Sequence, residues 1–266
     1  MAEQCVFFFD FDNTLYSHRT KRVPDSAKAA LARLEQQGHR IVLVSGRGNE
    51  SLPFFKAELG KLPRFVCLLN GQIIYDGGKL VFERSLPGMD AAALFDCARA
   101  KNVVYGAYTF QGLVLSGVND RVRQVWRDFR SEIPRICPGF EKTEPVYQAS
   151  LYITEAEQAD FSGLLGDYIT NWSHEFLCNL ISKKAGKSQT IRWCLEQFGI
   201  GPERAYAFGD GYNDMDMLQA VGHGVAMEDG FAPLKEIAQY IAPPADQDGI
   251  SRALAHYGFL PAAQGI

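Results

Sequence analysis

The chain has 266 residues, 47% of them hydrophobic and 22% charged, with a formal net charge of −4. That length holds one large or two modest domains with real cores, and the balance is that of an ordinary soluble globular protein. The slight acidity argues against a general nucleic-acid grip, which needs a clustered basic surface, and no apolar run approaches the ~20 residues of a membrane helix.

The first strong element is Cys5-Val6-Phe7-Phe8-Phe9. Its β-branched and aromatic content predicts a strand buried on both faces of a parallel sheet. It runs into Asp10-Phe11-Asp12-Asn13-Thr14. Ligands of open α/β sheets sit beyond the carboxyl ends of the strands, so Asp10 and Asp12 lie where chemistry is expected. A carboxylate there serves as metal ligand, nucleophile or general acid/base. The plainer reading is that Asp12, Asn13 and Thr14 turn the chain and cap the next segment. Asp10 interrupts the apolar run, and no basic flank or small-residue cleavage site accompanies it, which speaks against a signal peptide.

Next, Pro24-Asp25-Ser26 opens a helix with Ala27, Ala30, Leu31 and Leu34 at helical spacing, closed by Gly38. Ile41 to Val44 reads as a second buried strand, ending in Ser45-Gly46-Arg47. A helix with Pro53 in its early part follows, then a strand from Phe65 to Leu69 that runs into Asn70-Gly71. Strand–helix–strand alternation with polar residues at each exit predicts a doubly wound parallel sheet. Ile73 to Tyr75 and Leu80 to Phe82, joined through Asp76-Gly77-Gly78, read as a hairpin.

From about Leu86 the rhythm changes. A helix over Ala91 to Ala100, strands at Val103 to Tyr105 and Leu113 to Leu115, and a helix around Val122 to Phe129 lead into a looser stretch from Pro134 to Pro145. A strand at Ser150 to Ile153, a helix to Leu165, and strands near Trp172 and Cys178 to Ile181 complete a second, more antiparallel unit inserted into the first. After Ser182 the first rhythm resumes. Lys187 opens a helix stopped near Gly199, and the strand Ala205 to Phe208 ends in Gly209-Asp210-Gly211-Tyr212-Asn213-Asp214. A helix through Met215, Met217 and Leu218, the segment His223 to Met227, a helix capped by Asp229 and reaching Ala238, and Tyr240 to Ala242 leading to a closing helix from Gly249 to His256 finish the pattern. The 6 cysteines stand singly with no Cys-x-x-Cys, as buried thiols of a reducing cytoplasm do.

Four strand exits therefore carry polar clusters: Asp10, Asp12 and Thr14; Ser45, Gly46 and Arg47; Lys187; and Asp210, Asn213 and Asp214. Each alone has a structural reading, as turn, cap or solvated lysine. Converging, they supply carboxylates for one divalent cation and a lysine or arginine for an anion. Mg²⁺ suits such a site, since it takes oxygen ligands octahedrally and keeps waters and phosphate oxygens in its shell.

In these residues the chain resembles the haloacid dehalogenase superfamily of phosphatases, in its Cof-like group with a large cap between the second and third motifs. Asp10-Phe11-Asp12-Asn13-Thr14 matches the first motif, Ser45-Gly46-Arg47 the second, Lys187 the third, and Gly209-Asp210 with Asn213-Asp214 the fourth. Lys183 and Lys184 stand nearby, but Lys187 follows the strand at the family's interval and begins the helix. Asn13 replaces a frequent Gly, Ser45 a common Thr, and Glu228-Asp229-Gly230 the more usual Gly-Asn-Ala. The resemblance implies a Rossmann-like α/β core over residues 1–85 and 183–266, and an inserted α+β cap of type IIB over 86–182. Hinges would lie near Ser85-Leu86-Pro87 and Ile181-Ser182-Lys183.

It also implies a mechanism. Asp10 would attack phosphorus and form an aspartyl-phosphate. Asp12 would protonate the leaving alcohol and then activate water. Mg²⁺ would be held by Asp10, Asp210 and the main-chain carbonyl of Asp12. Ser45, Gly46, Arg47, Lys187 and Asn213 would hold the phosphoryl group, with Thr14 and Asp214 behind them. The implied substrate is a small phosphorylated metabolite, sugar phosphates foremost, with nucleotides and pyridoxal phosphate open. A sugar phosphomutase and a non-catalytic phospholigand-binding module are the rivals, and the presence of both Asp10 and Asp12 weighs against the second.

Overall fold

A computed structural model of the protein describes residues 3–86, 88–183 and 185–261, with the backbone alone at 88–90; Pro87 and Lys184 fall outside them. In chain order its elements are β1 (Val6–Asp10), α1 (Asp25–Gln36), β2 (Arg40–Val44), α2 (Leu52–Leu59), β3 (Phe65–Leu68), β4 (Ile73–Asp76) and β5 (Lys79–Glu83). Next come α3 (Gly88–Ala100), β6 (Tyr105–Thr109), β7 (Gly112–Leu115), α4 (Asp120–Asp128), β8 (Arg135–Ile136), β9 (Val146–Leu151), β10 (Tyr168–His174) and β11 (Leu177–Ser182). The chain ends with α5 (Lys187–Phe198), β12 (Ala205–Gly209), α6 (Met215–Gln219), β13 (His223–Met227), α7 (Ala232–Ile237), β14 (Tyr240–Ala242) and α8 (Gly249–His256). It divides into two compact units, one of Met1–Arg47, Ser51–Glu83 and Gly186–Ile266, the other of Gly48–Glu50 and Arg84–Ala185.

The first unit is built on a sheet of order β14-β13-β12-β1-β2-β3-β4-β5. Its strands pair in parallel from β14 across to β3, and the β4–β5 hairpin adds two antiparallel strands at the edge. The chain winds outward from β1 to β3, then returns on the other side of β1 with β12. Between β1 and β12 the winding reverses, and the crevice beyond their carboxyl ends is where such sheets hold ligands. The doubly wound α/β class expected from the sequence is the one observed.

The centre of this sheet follows from side-chain alternation along β1. Phe7 and Phe9 stack on Tyr206 and Phe208 of β12 at 4.9 and 4.6 Å, and Phe259 closes on Phe7 edge-on at 4.8 Å. Val6 and Phe8 pack on the opposite face with Ile191 and Cys194 of α5 and Met217 and Leu218 of α6. Apolar residues are needed at every position, which is why the strand reads as an unbroken run rather than an alternation.

Most element boundaries match the sequence reading, and four differences have clear causes. The strand expected over Ser150 to Ile153 is β9, Val146–Leu151, because its pairing with β6 reaches back to Val146. The strand expected from Val103 begins at Tyr105, where pairing with β9 starts. The helix expected before Leu165 is a 3-10 stretch, Ala156–Leu164, in which Phe161 is the one buried side chain. A single apolar anchor specifies a tight turn, not an amphipathic face. Asp229 does not cap α7. Pro233 fits only a first helical turn, so the helix begins at Ala232 with Phe231 at its cap.

The second unit has a six-stranded sheet of order β10-β11-β9-β6-β7-β8, antiparallel except between β7 and β8. One face packs Ala107, Ala149, Leu151 and Leu180 against Leu94, Phe95 and Ala98 of α3 and Phe161. On the other face, Val122 and Val125 of α4 meet Leu115, Tyr152 and Leu177. Among the described residues no helix is long and apolar enough to cross a membrane, and all six cysteines are free thiols.

Because Phe8 is fully buried in the central strand, Phe8→Ala is expected to cost about 3–5 kcal/mol, as large-to-small core changes do. Urea denaturation of the two proteins measures the difference.

Candidate active site

Every residue of the four sequence clusters lies in the first unit, at or beyond the carboxyl end of a parallel strand or at the start of α5. Asp10 is the last residue of β1 and is buried. Lys187, the first residue of α5, is 0% exposed. A lysine there faces the positive end of the helix dipole, so nothing in α5 itself favours it. Its ammonium is instead held by Asp10 Oδ1 and by Asp214 Oδ1, the latter at 2.6 Å. The start of α5 is served separately, by Asp216 Oδ2, which accepts from the backbone N–H of Ser188 at 3.0 Å.

Asp214 also shapes its own loop. Its Oδ2 accepts from the backbone N–H groups of Asp210 and Gly211 at 3.0 and 2.9 Å. The close approach explains Gly209, where a Cβ would lie 2.5 Å from the Asp214 side chain. Asp210 is thereby fixed beside Asp10, with Thr14 Oγ1 donating to its Oδ1 at 3.3 Å. Asn13 adopts φ 52°, a left-handed turn that asparagine tolerates.

One carboxylate oxygen each from Asp10, Asp210 and Asp214 lie within 4.8 Å of one another. Three carboxylates face one ammonium, so two negative charges stay unbalanced if all ionise. The consequences are visible in the titration of the groups. Burial, with Asp214 and Asp210 adding to it against Lys187, pushes Asp10 well above the usual carboxylate range. Burial and then Asp214 push Asp210 up from 3.8 to about 6. Burial works against the Lys187 ammonium, but Asp10 and Asp214 outweigh it and hold its pKa above the usual value. An all-oxygen, partly buried donor set with surplus negative charge fits a hard divalent cation such as Mg²⁺. Asp10 and Asp210 are the residues placed to hold it. Both Asp214 oxygens are already engaged.

Ser45 and Gly46 stand at the exit of β2. Ser45 is buried, and its Oγ accepts from the Arg47 N–H at 3.1 Å, leaving the hydroxyl proton to donate. Asn213 Nδ2 donates to Asn70 Oδ1 at 3.0 Å. A Cβ on Gly46 would come 3.2 Å from that same Asn70 oxygen, so the β2, β3 and β12 exits meet here. Asn70 has φ 55° and Gly71 φ 90°, a turn at which any Gly71 side chain would strike Gly186 and Thr190 at 2.7 Å.

Asp12 occupies a different position, at the rim. Arg47 binds it with two bonds, Nε to Oδ2 at 2.8 Å and Nη2 to Oδ1 at 2.5 Å, and His18 Nε2 meets Oδ1 at 2.8 Å. Two partners in this arrangement are not among the candidate site residues of the sequence reading. Asn70-Gly71 marks a strand exit and also resembles a stretch habitual in the family, but that resemblance assigns Asn70 no role. His18 gives no signal, since its contact depends on the turn that pairs Asp12 with Tyr16.

An aspartate cluster and a buried lysine thus stand at the switch point of a doubly wound sheet, and comparison with known proteins assigns the class. The sequence pattern of the haloacid dehalogenase-like hydrolases matches residues 7–254. YkrA of Bacillus subtilis is 27% identical over 264 residues, 96% of this chain and 98% of the relative. The phosphatase YwpJ of the same organism is 25% identical, across 93% and 97% of the two chains. Among solved structures, the subclass IIB sugar phosphatase BT4131 superposes with a TM-score of 0.79 at 25% identity, covering 97% of this chain and 100% of its own. The chain belongs to the haloacid dehalogenase-like hydrolase family and stands among its Cof-like phosphatases.

The raised pKa of Asp210 yields a pH test. Its protonated form is favoured in the fold, so without a cation its contribution to stability is full below about 3.8 and is lost as pH climbs through about 6. A bound cation favours the ionised form instead. Mg²⁺ should therefore raise the melting temperature near neutral pH, and this increment should shrink as pH falls below about 6. Thermal melts with and without Mg²⁺ check it, and the absence of any Mg²⁺-dependent shift at neutral pH would contradict a cation site.

Proposed function

We propose that the protein is a Mg²⁺-dependent phosphatase that hydrolyses phosphate monoesters of small metabolites, sugar phosphates foremost, through an aspartyl-phosphate on Asp10. The observation that carries this is the pairing of Asp10 with Lys187 at the end of β1. One oxygen, Oδ1, is held by the lysine, while Oδ2 takes no hydrogen bond from any described residue and is open to attack phosphorus. Lys187 thus orients the nucleophile and keeps a positive charge where a phosphate dianion would otherwise be repelled.

When bound, Mg²⁺ supplies the further positive charge that lets carboxylate and phosphate approach, with Asp10, Asp210 and the Asp12 carbonyl as its protein ligands. The chain's own groups do the rest. The Ser45 hydroxyl, the backbone at Gly46 and the Asn213 amide are the donors for phosphoryl oxygens. Arg47 is a cation at the rim for the same anion. Thr14 and Asp214 fix Asp210 and Lys187 from behind. Asp12 gives its proton to the departing alcohol oxygen and later takes one from the attacking water. For this it must exchange Arg47 and His18 for the substrate. Catalysis by such a set is mostly positioning and electrostatics.

The segment 86–182 is the substrate-selecting unit in this reading, and the unpaired thiols suit a reducing cytoplasm. Its substrates are small phosphorylated metabolites, with no role for nucleic acid or membrane.

Asp10→Asn should lower turnover at least a thousandfold, about 4 kcal/mol of barrier, while the melting curve and circular dichroism stay those of a folded protein. Phosphate release from a panel of metabolite esters with Mg²⁺ measures it, and turnover within tenfold of the parent would remove Asp10 from its role. Asp12→Ala should slow single-turnover phosphorylation by an alkyl phosphate far more than by an activated aryl phosphate, because a basic leaving oxygen needs the proton most. Equal losses would reject general acid catalysis by Asp12.

A further inference from the structure

The second unit carries a feature that no part of the phosphate chemistry uses. Along β9, Ala149 and Leu151 point into the core under α3, so Gln148, Ser150 and the following Tyr152 lie on the opposite face. Polar side chains on that face are ordinary when they meet water. Here Gln148 and Ser150 are only 7% and 5% exposed. Gln148 Nε2 and Ser150 Oγ are both buried without a hydrogen-bond partner. Buried polar atoms are nearly always satisfied, and two neighbours on one strand face that are not call for a missing partner.

For Ser150, space for a partner is present. A cavity of about 130 Å³ opens over this face, lined by Tyr108, Trp126, Phe129, Ser150, Ser173 and Asn179 among others, with no charged side chain. In the ladder Ser150 stands between Asn179 of β11 and Gly106 of β6. A Cβ on Gly106 would come within 2.9 Å of Ser150 Oγ, so the glycine leaves the hydroxyl uncrowded. Asn179 Nδ2 donates to Ser173 Oγ at 2.6 Å, which leaves the amide oxygen of Asn179 and the hydroxyl proton of Ser173 to serve a ligand. Trp126 Nε1 donates to the Tyr152 hydroxyl at 2.9 Å, so the indole is anchored and its ring serves as an apolar wall.

The chemistry of this lining selects its ligand. Without charge it does not favour a phosphate or a carboxylate. Hydroxyl and amide groups between aromatic walls suit a neutral molecule with hydroxyls on one edge and C–H groups on the other. The volume equals about four waters at ~30 Å³ each, enough for one edge of such a molecule. We propose that this face of the second unit binds an uncharged polyhydroxylated group, a polyol or sugar ring, with Ser150 Oγ and Ser173 Oγ, both lining the cavity, hydrogen-bonded to its hydroxyls. The site goes beyond the phosphatase reading and does not rest on it, since no phosphate takes part.

The test uses the full chain and unphosphorylated probes: erythritol, ribitol and glucose, followed by saturation-transfer NMR. At least one should bind saturably, and Ser150→Ala and Ser173→Ala should each weaken it about fivefold or more, the loss of one hydrogen bond. Both variants should melt as the parent does. No saturable binding of any probe by the parent, or unchanged affinity in both variants, overturns the proposal. Gluconate binding more tightly than glucose overturns it too, because the site would then be reading charge. Binding is measured without turnover, so failure here is distinct from a failure to hydrolyse phosphate esters.

Discussion

A single buried ammonium ties the first unit together at its working end. Lys187 brings a full charge to a place with no solvent, and such a charge is tolerated only when paired and hydrogen-bonded. Asp10 and Asp214 provide the pairing, one from the central strand and the other from the loop after β12. Helix α5 is thereby docked to both. The same Asp214 holds the backbone of Asp210 and Gly211, so the loop that aims Asp210 is shaped by the charge network itself. Gly209 completes the arrangement by having no side chain where Asp214 must pass.

The rim is built on other terms. Asp12 and Arg47 keep about a third of their side-chain surface exposed, and His18 about half. Ion pairs with this much water contribute little stability and exchange readily. Phe54 lies under the guanidinium of Arg47 at 5.2 Å, and Phe11 and Phe55 pack beneath at 4.3 Å from each other. The apolar base fixes where Arg47 stands, while its charged end pairs with Asp12 at the partly exposed rim. Interior groups are thus fixed by desolvation, and rim groups are left exchangeable by it.

Much of this was legible in the amino-acid sequence. An unbroken apolar run before Asp10, a second before Ser45 and a third before Gly209 mark strands buried on both faces, and the sheet's polarity puts their polar followers on one edge. The family-like order of the clusters then picks Lys187 out of three nearby lysines. Spacing carries no information about contacts made by loops after those strands. His18 reaches Asp12 only because the chain folds back at Tyr16, and Asn213 reaches Asn70 across 143 residues. The expected strand begins only at Ser150, which leaves Gln148 outside it, and alternation alone predicts a wet face. Their burial is a property of tertiary packing.

The strand order has a consequence for synthesis of the chain. Val6 pairs with Ala205 and Phe9 with Phe208, so the central strand waits for a partner that emerges about 200 residues later. Pairings of such separation form slowly, since a long loop must close before any contact repays it. Until then Asp10 has neither Lys187 nor the Asp210 loop beside it, and β1 has a bare edge and two apolar faces. A ribosome-bound fragment lacking the last third therefore holds Asp10 without its surroundings. Assembly of the sheet and assembly of the charge cluster are a single event.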